Sequence, residues 1–232
     1  MPRQLRVMTY NIHRGRGIDG RHDLGRIAAV IESFDPDVVA LQEVDMNRER
    51  SGRIDQAHEL ASRLGMEMVF VPNIEYSDTE RYGLATLTRL PIKSTRQLRL
   101  PIHHRSEPRS SLITLLGWQD HVVEVINTHL SILFRERPGQ VAAIAAEMGT
   151  EALVIAGDFN MTPWSPAYKV LARGLHSATR FARTWPALAP LIPLDHILYR
   201  GEVDVVRAGA WAGGPARTAS DHLPVVVELS AA

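Results

Sequence analysis

Apolar and polar positions in the first third of the chain follow two alternating patterns. Short apolar runs over residues 5–11 and 38–44 are typical of buried strands. Residues 23–34 and 55–64 instead place apolar side chains three and four positions apart, as amphipathic helices do. Gly65 follows the second of these segments, where a helix commonly ends. This part of the chain therefore predicts strands and helices in alternation.

The pattern changes in the middle of the chain. Apolar runs predict five consecutive strands over residues 66–71, 84–88, 92–98, 111–116 and 122–127. A helix over 138–148, a strand over 152–156, a proline-rich irregular segment, and strands near 196–199, 203–208 and 225–229 follow. Five strands in succession are too many for a simple alternating parallel sheet. The pattern therefore predicts an α+β fold in which two packed sheets are covered by helices on the outside.

Charge and composition narrow the class of protein. Lys and Arg together number 26, as do Asp and Glu, so the chain has no net charge. Proteins that bind nucleic acid usually carry a basic excess, because phosphate neutralisation supplies most of their non-specific affinity. The charge balance therefore gives no strong nucleic-acid signal, although it allows a local basic patch.

The absence of cysteine excludes disulfides, thiol catalysis and thiolate metal sites, and it is compatible with a reducing cytosol. No run approaches the ~20 apolar residues that a membrane-spanning helix needs, and the N-terminus lacks a signal-peptide pattern. No Pro/Gly-rich linker divides the chain. We therefore expect a single domain over residues 1–232 in a soluble, cytoplasmic, monomeric protein.

Polar residues that can bind metals or phosphates stand at the ends of the predicted strands. Four groups follow a strand and two precede one, and an antiparallel strand begins where its neighbour ends. Ligands of open sheets bind beyond such strand ends, where loops converge, so we expect all six groups to face one cleft. The groups are Asn11, Gln42-Glu43, Asn127-Thr128-His129, Gly157-Asp158-Phe159-Asn160, Asp195-His196 and Ser220-Asp221-His222.

Such a cleft would bring together four carboxylates, those of Glu43, Asp158, Asp195 and Asp221. Two like charges ~4 Å apart at an effective dielectric near 20 repel by ~4 kcal/mol. Either some of these carboxylates take up protons or a cation lies among them. Oxygen ligands without thiolates favour Mg²⁺ or Mn²⁺ over structural Zn²⁺. The sequence therefore predicts a site for a hard divalent cation.

A single Asp at a strand end is usually a turn or capping residue, so the information lies in the ordered set of motifs. The chain contains N-I-H, L-Q-E-V, I-N-T-H-L, G-D-F-N, L-D-H-I and S-D-H-L-P in this order. This set resembles the endonuclease/exonuclease/phosphatase superfamily, and the resemblance extends from Met8 to Leu229. It implies a four-layer αββα sandwich of two mixed β-sheets flanked by helices, dependence on Mg²⁺ or Mn²⁺, and hydrolysis of a phosphoester.

The resemblance also implies roles for individual residues. Glu43 corresponds to the principal metal ligand, with Asn11 beside it and Asp221 contributing to the metal site. Asp158 corresponds to the group that positions or deprotonates the attacking water, and Asn160 to a donor to a phosphate oxygen.

Two histidines complete the set that the resemblance implies. His129 resembles the histidine that donates to a non-bridging phosphate oxygen in the sphingomyelinase and deadenylase branches. Asp195 corresponds to the residue that orients His222. Such an Asp–His pair holds an imidazolium in one orientation.

Departures from the family pattern bear on the substrate. His13 stands where abasic-site endonucleases carry an acid, which argues against that branch and against a second metal site. Several segments instead resemble small bacterial metal-dependent hydrolases of the sphingomyelinase-like branch. The leading hypothesis is a phosphodiesterase acting on a small or lipid-derived phosphodiester. The alternatives are a nuclease on DNA or RNA, a phosphomonoesterase on sugar or inositol phosphates, and a non-catalytic binding module, which the complete residue set disfavours.

Two further groups of residues allow more than one interpretation. Five arginines near these motifs could line a phosphate approach or be solvated surface residues: Arg48, Arg50, Arg53, Arg81 and Arg109. Three tryptophans in loop-like regions could wall a substrate pocket, although packing in the core or at its rim is the stronger expectation: Trp164, Trp185 and Trp211.

Overall fold

The computed structural model of the protein describes residues 4–103, 105–149 and 152–231. Its strands form two mixed sheets of six strands each. From edge to edge, the first sheet contains β11 (Val203–Ala210), β12 (Val225–Ala231), β1 (Leu5–Asn11), β2 (Val38–Met46), β4 (Arg81–Thr88) and β3 (Glu67–Glu75). The second contains β5 (Ile92–Leu100), β6 (Arg109–Trp118), β7 (His121–His129), β8 (Leu153–Asp158), β10 (Asp195–Arg200) and β9 (His176–Ser177).

Helices cover the outer face of each sheet. They are α1 (Leu24–Phe34), α2 (Gln56–Leu64), α3 (Arg137–Glu147), α4 (Pro166–Leu171) and α5 (Ala216–Ala219). One apolar cluster joins α1, α2 and α5 to the first sheet, and another joins α3 and α4 to the second. The result is the αββα sandwich that the sequence motifs implied, so the predicted fold class is confirmed. Within the described residues, no helix is both long enough and apolar enough to cross a membrane.

Local chemistry explains where the two predicted N-terminal helices begin and end. The Asp23 carboxylate accepts a hydrogen bond from the Arg26 amide (3.2 Å), and the Asp55 carboxylate accepts one from the His58 amide (3.1 Å). Both aspartates therefore satisfy amides that the first helical turn leaves without partners. Gly65 ends α2 in the left-handed conformation that glycine adopts without steric cost.

Side chains of the central strands alternate between the helices and the layer between the two sheets. In β1, Met8 and Tyr10 pack under the helices, whereas Leu5 and Val7 face the second sheet. Apolar residues of β7, β8, β10 and β12 fill the same inter-sheet layer. This period of two is the pattern expected of strands buried on both faces.

The strand pairing brings the motif residues to one edge of the sandwich. β1 and β2 are parallel, as are β7 and β8, so the carboxyl ends of both pairs lie at that edge. β10 runs antiparallel to β8 and therefore begins there, and β12 begins beside the end of β1. Six chain segments that are distant in sequence consequently meet at one place.

Candidate active site

Asp158 occupies the centre of the site. It ends β8, where its register partners are His129 on β7 and Asp195 on β10. The Gly157 residue before it has no room for a side chain, because a Cβ there would lie 1.9 Å from the Thr128 carbonyl oxygen. The Gly-Asp pair of the motif therefore allows β7 to approach β8 closely and delivers the carboxylate between its two neighbours.

A β-bulge in the first sheet presents Glu43. The register between β2 and β4 shifts between Leu41 and Val44, and Glu43 within the bulge has a positive φ of 58°. Bulges of this kind redirect a side chain that regular pleating would place elsewhere. The Asn11 amide nitrogen donates to the Glu43 carboxylate (3.1 Å) and to Asp158 Oδ2 (3.1 Å). Because one nitrogen reaches both acids, the carboxylates contributed by the two sheets are close neighbours.

The two oxygens of Asp158 have different surroundings. Oδ1 accepts a hydrogen bond from the Asn160 amide (2.8 Å). Oδ2 lies near the Asn11 amide, His129 Nε2 (3.4 Å) and His222 Nε2 (3.9 Å). Burial, and then the charge of Asp195, raise the pKa of Asp158. Asp158 is therefore an acceptor in which negative charge is unfavourable unless nearby positive charge balances it.

Arg109 determines the state of His129. The Arg109 guanidinium lies 2.9 Å from His129 Nδ1, and because arginine can only donate, Nδ1 must be the accepting nitrogen. The proton of a neutral ring then resides on Nε2, the nitrogen that faces Asp158. Burial and the positive charges of Arg109 and His222 hold the pKa of His129 well below its ordinary value. His129 is therefore a neutral N–H donor directed into the site.

His222 has the opposite charge state. Its Nδ1 donates to Asp195 Oδ2 (2.8 Å) in a pair that is almost fully buried. Burial opposes a charge on this ring, but the carboxylates of Asp195 and Asp158 outweigh that effect and raise the pKa of His222 above its ordinary value. His222 is therefore an imidazolium with Nε2–H facing Asp158, beside a neutral His129.

The donor set fits a hard divalent cation. Glu43 and Asp158 offer carboxylate oxygens from the two sheets, and Asp195 Oδ1 is buried without a hydrogen-bond partner among the described residues. Asn11 turns its amide nitrogen to both acids, and its Oδ1 accepts from the His13 amide (3.0 Å). Ligand atoms of Asp158, Asp195 and His222 also lie within 4.8 Å of one another, so this group could hold a metal ion. However, the hydrogen bond between Asp195 and His222 already explains that proximity, and an imidazolium does not ligate metals. The acidic oxygens near Glu43 and Asp158 fit a cation better.

The remaining predicted site residues lie at the margin of this centre. Asn160 follows Asp158 with a positive φ of 50°, and its side-chain amide donates to the Leu130 carbonyl (3.0 Å). The Asp221 carboxylate lies 3.5 Å from His13 Nδ1, next to the end of β1. It is more exposed than the carboxylates of Asp158 and Asp195 at the centre of the site.

The expectation that all six polar groups face one cleft is wrong for His196. Its ring is buried on the helix side of the second sheet, where it contacts the Met161 carbonyl and the rings of Phe159 and Tyr168. Adjacent strand residues point to opposite faces, so Asp195 and His196 cannot both reach the site. Gln42 and Asn127 are likewise fully buried, in the layer between the sheets.

All five arginines considered for a phosphate approach form ion pairs with carboxylates. Arg50 binds Asp45, Arg48 and Arg53 approach Glu80, and Arg81 approaches Glu75. Arg109 differs in being buried, and it contacts His129 as well as its carboxylate partner Glu107. The sequence around Arg109 gave no sign of this histidine partner. Trp211 packs on Phe34 as expected, whereas Trp164 is exposed beside the site.

Solved structures share this architecture. An endonuclease/exonuclease/phosphatase from Beutenbergia cavernae DSM 12333 matches with a TM-score of 0.80 and 25% identity, covering 99% of this chain and 72% of that one. A mannosyl-6-phosphatase of Bacteroides thetaiotaomicron VPI-5482 matches with a TM-score of 0.79 and 20% identity over 97% and 99%. A 2′,3′-cyclic phosphatase, ANGEL2, gives a TM-score of 0.72 and 16% identity over 98% and 96%. A search among curated proteins gave no match.

A family model provides the assignment that low-identity structures cannot. The model described as the endonuclease/exonuclease/phosphatase family matches residues 8–222, which include every residue of the site described above. The matched span, the αββα sandwich and the convergence of acids and histidines on Asp158 all agree. The chain belongs to the endonuclease/exonuclease/phosphatase family, whose members hydrolyse phosphoester bonds.

Proposed function

We propose that the protein is a divalent-metal-dependent phosphodiesterase that hydrolyses a small or lipid-derived phosphodiester by in-line attack of water. The observation that supports this most is the arrangement around Asp158 Oδ2, where a neutral histidine and a cationic histidine converge on a buried acceptor. A water bound at this oxygen would be oriented for attack, and the two N–H groups beside it would donate to the phosphoryl oxygens. Positioning and charge stabilisation are the two requirements of this chemistry.

The roles of the remaining residues follow from their contacts. Glu43, Asn11 and Asp221 would hold Mg²⁺ or Mn²⁺, which as a Lewis acid would neutralise charge on a phosphate oxygen. Asn160 would donate to the same phosphoryl group, and Asp195 keeps His222 protonated and fixed in orientation. His129 can donate its Nε2 proton without carrying a charge, because Arg109 occupies its other nitrogen.

Charge favours a diester over a monoester. A phosphomonoester is a dianion near neutral pH and calls for additional positive charge, yet Arg48 and Arg50, which follow Glu43 in the chain, are paired with the carboxylates of Glu80 and Asp45. A phosphomonoesterase is the second candidate, because a protein of the same fold is named a mannosyl-6-phosphatase. The fold also occurs in a 2′,3′-cyclic phosphatase, whose name indicates a cyclic phosphodiester substrate.

An activity screen with Glu43→Gln as the test variant examines the proposal. We expect the wild type to cleave bis(4-nitrophenyl) phosphate with Mn²⁺ or Mg²⁺ faster than 4-nitrophenyl phosphate or nucleic acid, and to lose activity in EDTA. Glu43→Gln should lose most turnover, whereas Glu32→Gln, the same change at an exposed position of α1, should retain it. Metal at ~100 times its dissociation constant should stabilise the wild type by ~2.7 kcal/mol. Turnover that is indifferent to EDTA would refute the proposal.

A further inference from the structure

The most exposed apolar side chains of the protein are concentrated beside the site. Six large apolar residues are at least 60% exposed, and every other one among the described residues is less exposed. We call these six the apolar rim: Ile132, Phe134, Trp164, Phe181, Leu188 and Leu191. Contiguous exposed apolar surface is costly in water and usually marks an interaction site.

Hydrogen bonds fix the loop that contains Ile132 and Phe134 next to the catalytic centre. The loop leaves β7 directly after His129. The Leu130 amide donates to the Asp158 carbonyl (3.0 Å), and the Leu130 carbonyl accepts from Asn160 (3.0 Å). This part of the rim is therefore anchored to the residues that carry the proposed chemistry.

The rest of the rim is anchored to other residues of the site. Trp164 stands four residues after Asn160, and its ring lies 6.4 Å from that of Phe181. The hairpin that carries Leu188 and Leu191 is held at the site because the Ala187 amide donates to the Asp221 carbonyl (2.7 Å). The rim is consequently attached to the site at several points.

A cavity of about 540 Å³ lies within the rim, walled by Trp164, Phe181 and Leu191. Two other lining residues, Thr162 and Pro193, are each two positions from a site residue, Asn160 and Asp195 respectively. Two residues of extended chain span at most ~7 Å, so the cavity adjoins the site. Its volume and apolar walls fit the hydrocarbon part of a substrate.

The segment that carries four of the six rim residues is positively charged although the whole chain is neutral. No Asp or Glu occurs between Asp158 and Asp195, whereas this segment contains Lys169, Arg173, Arg180 and Arg183. Arg180 lies over the ring of Phe181 (5.4 Å), and Arg135 lies over that of Phe134 (5.5 Å). Aromatic tips accompanied by arginines are characteristic of surfaces that insert into the headgroup region of anionic lipid.

We propose that the apolar rim docks on an anionic lipid surface, with the hydrocarbon of one lipid entering the adjoining cavity and its phosphodiester reaching Asp158. The choice of substrate rests on the proposed function, whereas the docking itself does not. Nucleic acid could pair with the arginines, but its phosphate backbone offers no apolar environment for the six exposed side chains of the rim. The lipid surface accounts for both the apolar and the cationic features.

Vesicle sedimentation of the full chain in EDTA tests docking independently of catalysis. We expect binding to vesicles of equimolar phosphatidylcholine and phosphatidylglycerol, and weaker binding to phosphatidylcholine alone. Phe134→Ser and Phe181→Ser should each weaken binding to the vesicles about tenfold, because each removes an aromatic side chain that would be buried in the lipid. The control Val206→Ser changes an exposed apolar residue of β11 that lies outside the rim, and it should bind like the wild type. Unchanged melting temperatures would show that the variants fold.

Three results would overturn the proposal. These are no binding to either vesicle, binding that both rim substitutions leave unchanged, or equal weakening by Val206→Ser. Tighter binding to single-stranded nucleic acid than to vesicles would assign the surface to that partner. A dimer in sedimentation velocity that only the rim substitutions dissociate would assign it to a second copy of the chain. Vesicle binding without turnover of any phosphodiester would retain the docking and reject the proposed function.

Discussion

The layer between the two sheets has an apolar end and a polar end. Along a single strand, the residues that face this layer are apolar at one end and polar at the other. In β1, Leu5 and Val7 are followed at alternate positions by Thr9 and Asn11. In β7, Val123 and Val125 are followed in the same way by Asn127 and His129, and in β8 the inward positions lead to Asp158. Each of these strands contributes first to the core and then to the site.

Buried residues are stabilised differently at the two ends. The apolar end gains from removal of hydrocarbon from water and requires only good packing. The polar end must pair each buried polar group, since an unpaired one costs free energy. Gln42 and Asn127 perform this function across the sheets: Gln42 Nε2 donates to Asn127 Oδ1 (2.8 Å), and Asn127 donates to the carbonyls of Leu41 and Ala85. The site therefore rests on a hydrogen-bonded layer.

The largest expected effect comes from Asp158→Asn. Asp158 accepts hydrogen bonds at both oxygens, whereas an amide offers one acceptor and would direct N–H at Asn11 or Asn160. We expect kcat for bis(4-nitrophenyl) phosphate to fall about 10³- to 10⁴-fold, the upper range for loss of a group that acts on a proton in the transition state. Steady-state kinetics with saturating Mn²⁺ measure this.

The matched control is Asp204→Asn on β11, which makes the same chemical change at an exposed position. It should leave kcat within about twofold, because surface substitutions away from special features have small effects. A loss in Asp158→Asn confined to KM would show that Asp158 binds substrate without taking part in the chemical step.

The sequence predicted the strands and the site residues, but only part of their arrangement. The apolar runs located the strands to within a few residues, because a strand buried on both faces reads as a continuous apolar segment. The motif residues at the strand ends were also recognisable, and the structure brings Asn11, Glu43, His129, Asp158, Asp195 and His222 together. Residue type and position along a strand were sufficient for these predictions.

Features that depend on contacts between distant segments could not be predicted. The return of β11 and β12 to the first sheet, and the turn of His196 toward Tyr168, depend on strand order and register. The short helix α4 begins at Pro166 in a segment whose prolines indicated an irregular loop, because proline is tolerated in a first helical turn. The pairing of Arg109 with His129 joins two strands and has no local signature.

The second prediction concerns two substitutions in β7, which test whether the polar layer contributes to the stability of the fold. Asn127→Leu leaves the Gln42 amide and two backbone carbonyls without this partner, so we expect the free energy of unfolding to fall by about 1–3 kcal/mol. Val125→Asn, two positions away at the apolar end, should cost at least as much, because it buries an unpaired amide. Urea denaturation measures both. Equal stability of Asn127→Leu and the wild type would mean that the polar layer contributes nothing to folding.

The smallest expected effect concerns Arg109, which lies at the polar end but acts on His129 and not on the substrate. Arg109→Leu removes the donor to Nδ1, so the His129 proton is free to move there and to leave Nε2, the nitrogen that faces Asp158. We expect kcat to fall about tenfold with little change in KM, as is usual for a group that orients another.

Nitrogen-15 NMR should show the Nε2–H tautomer in the wild type and a mixture in the variant. The variant should also show a higher His129 pKa, because burial remains but the positive charge of Arg109 is lost. Arg109→Lys should restore much of the activity, since an ammonium can also donate to Nδ1. If the ring proton stays on Nε2 in Arg109→Leu, the other contacts of His129 are sufficient to place it there without Arg109.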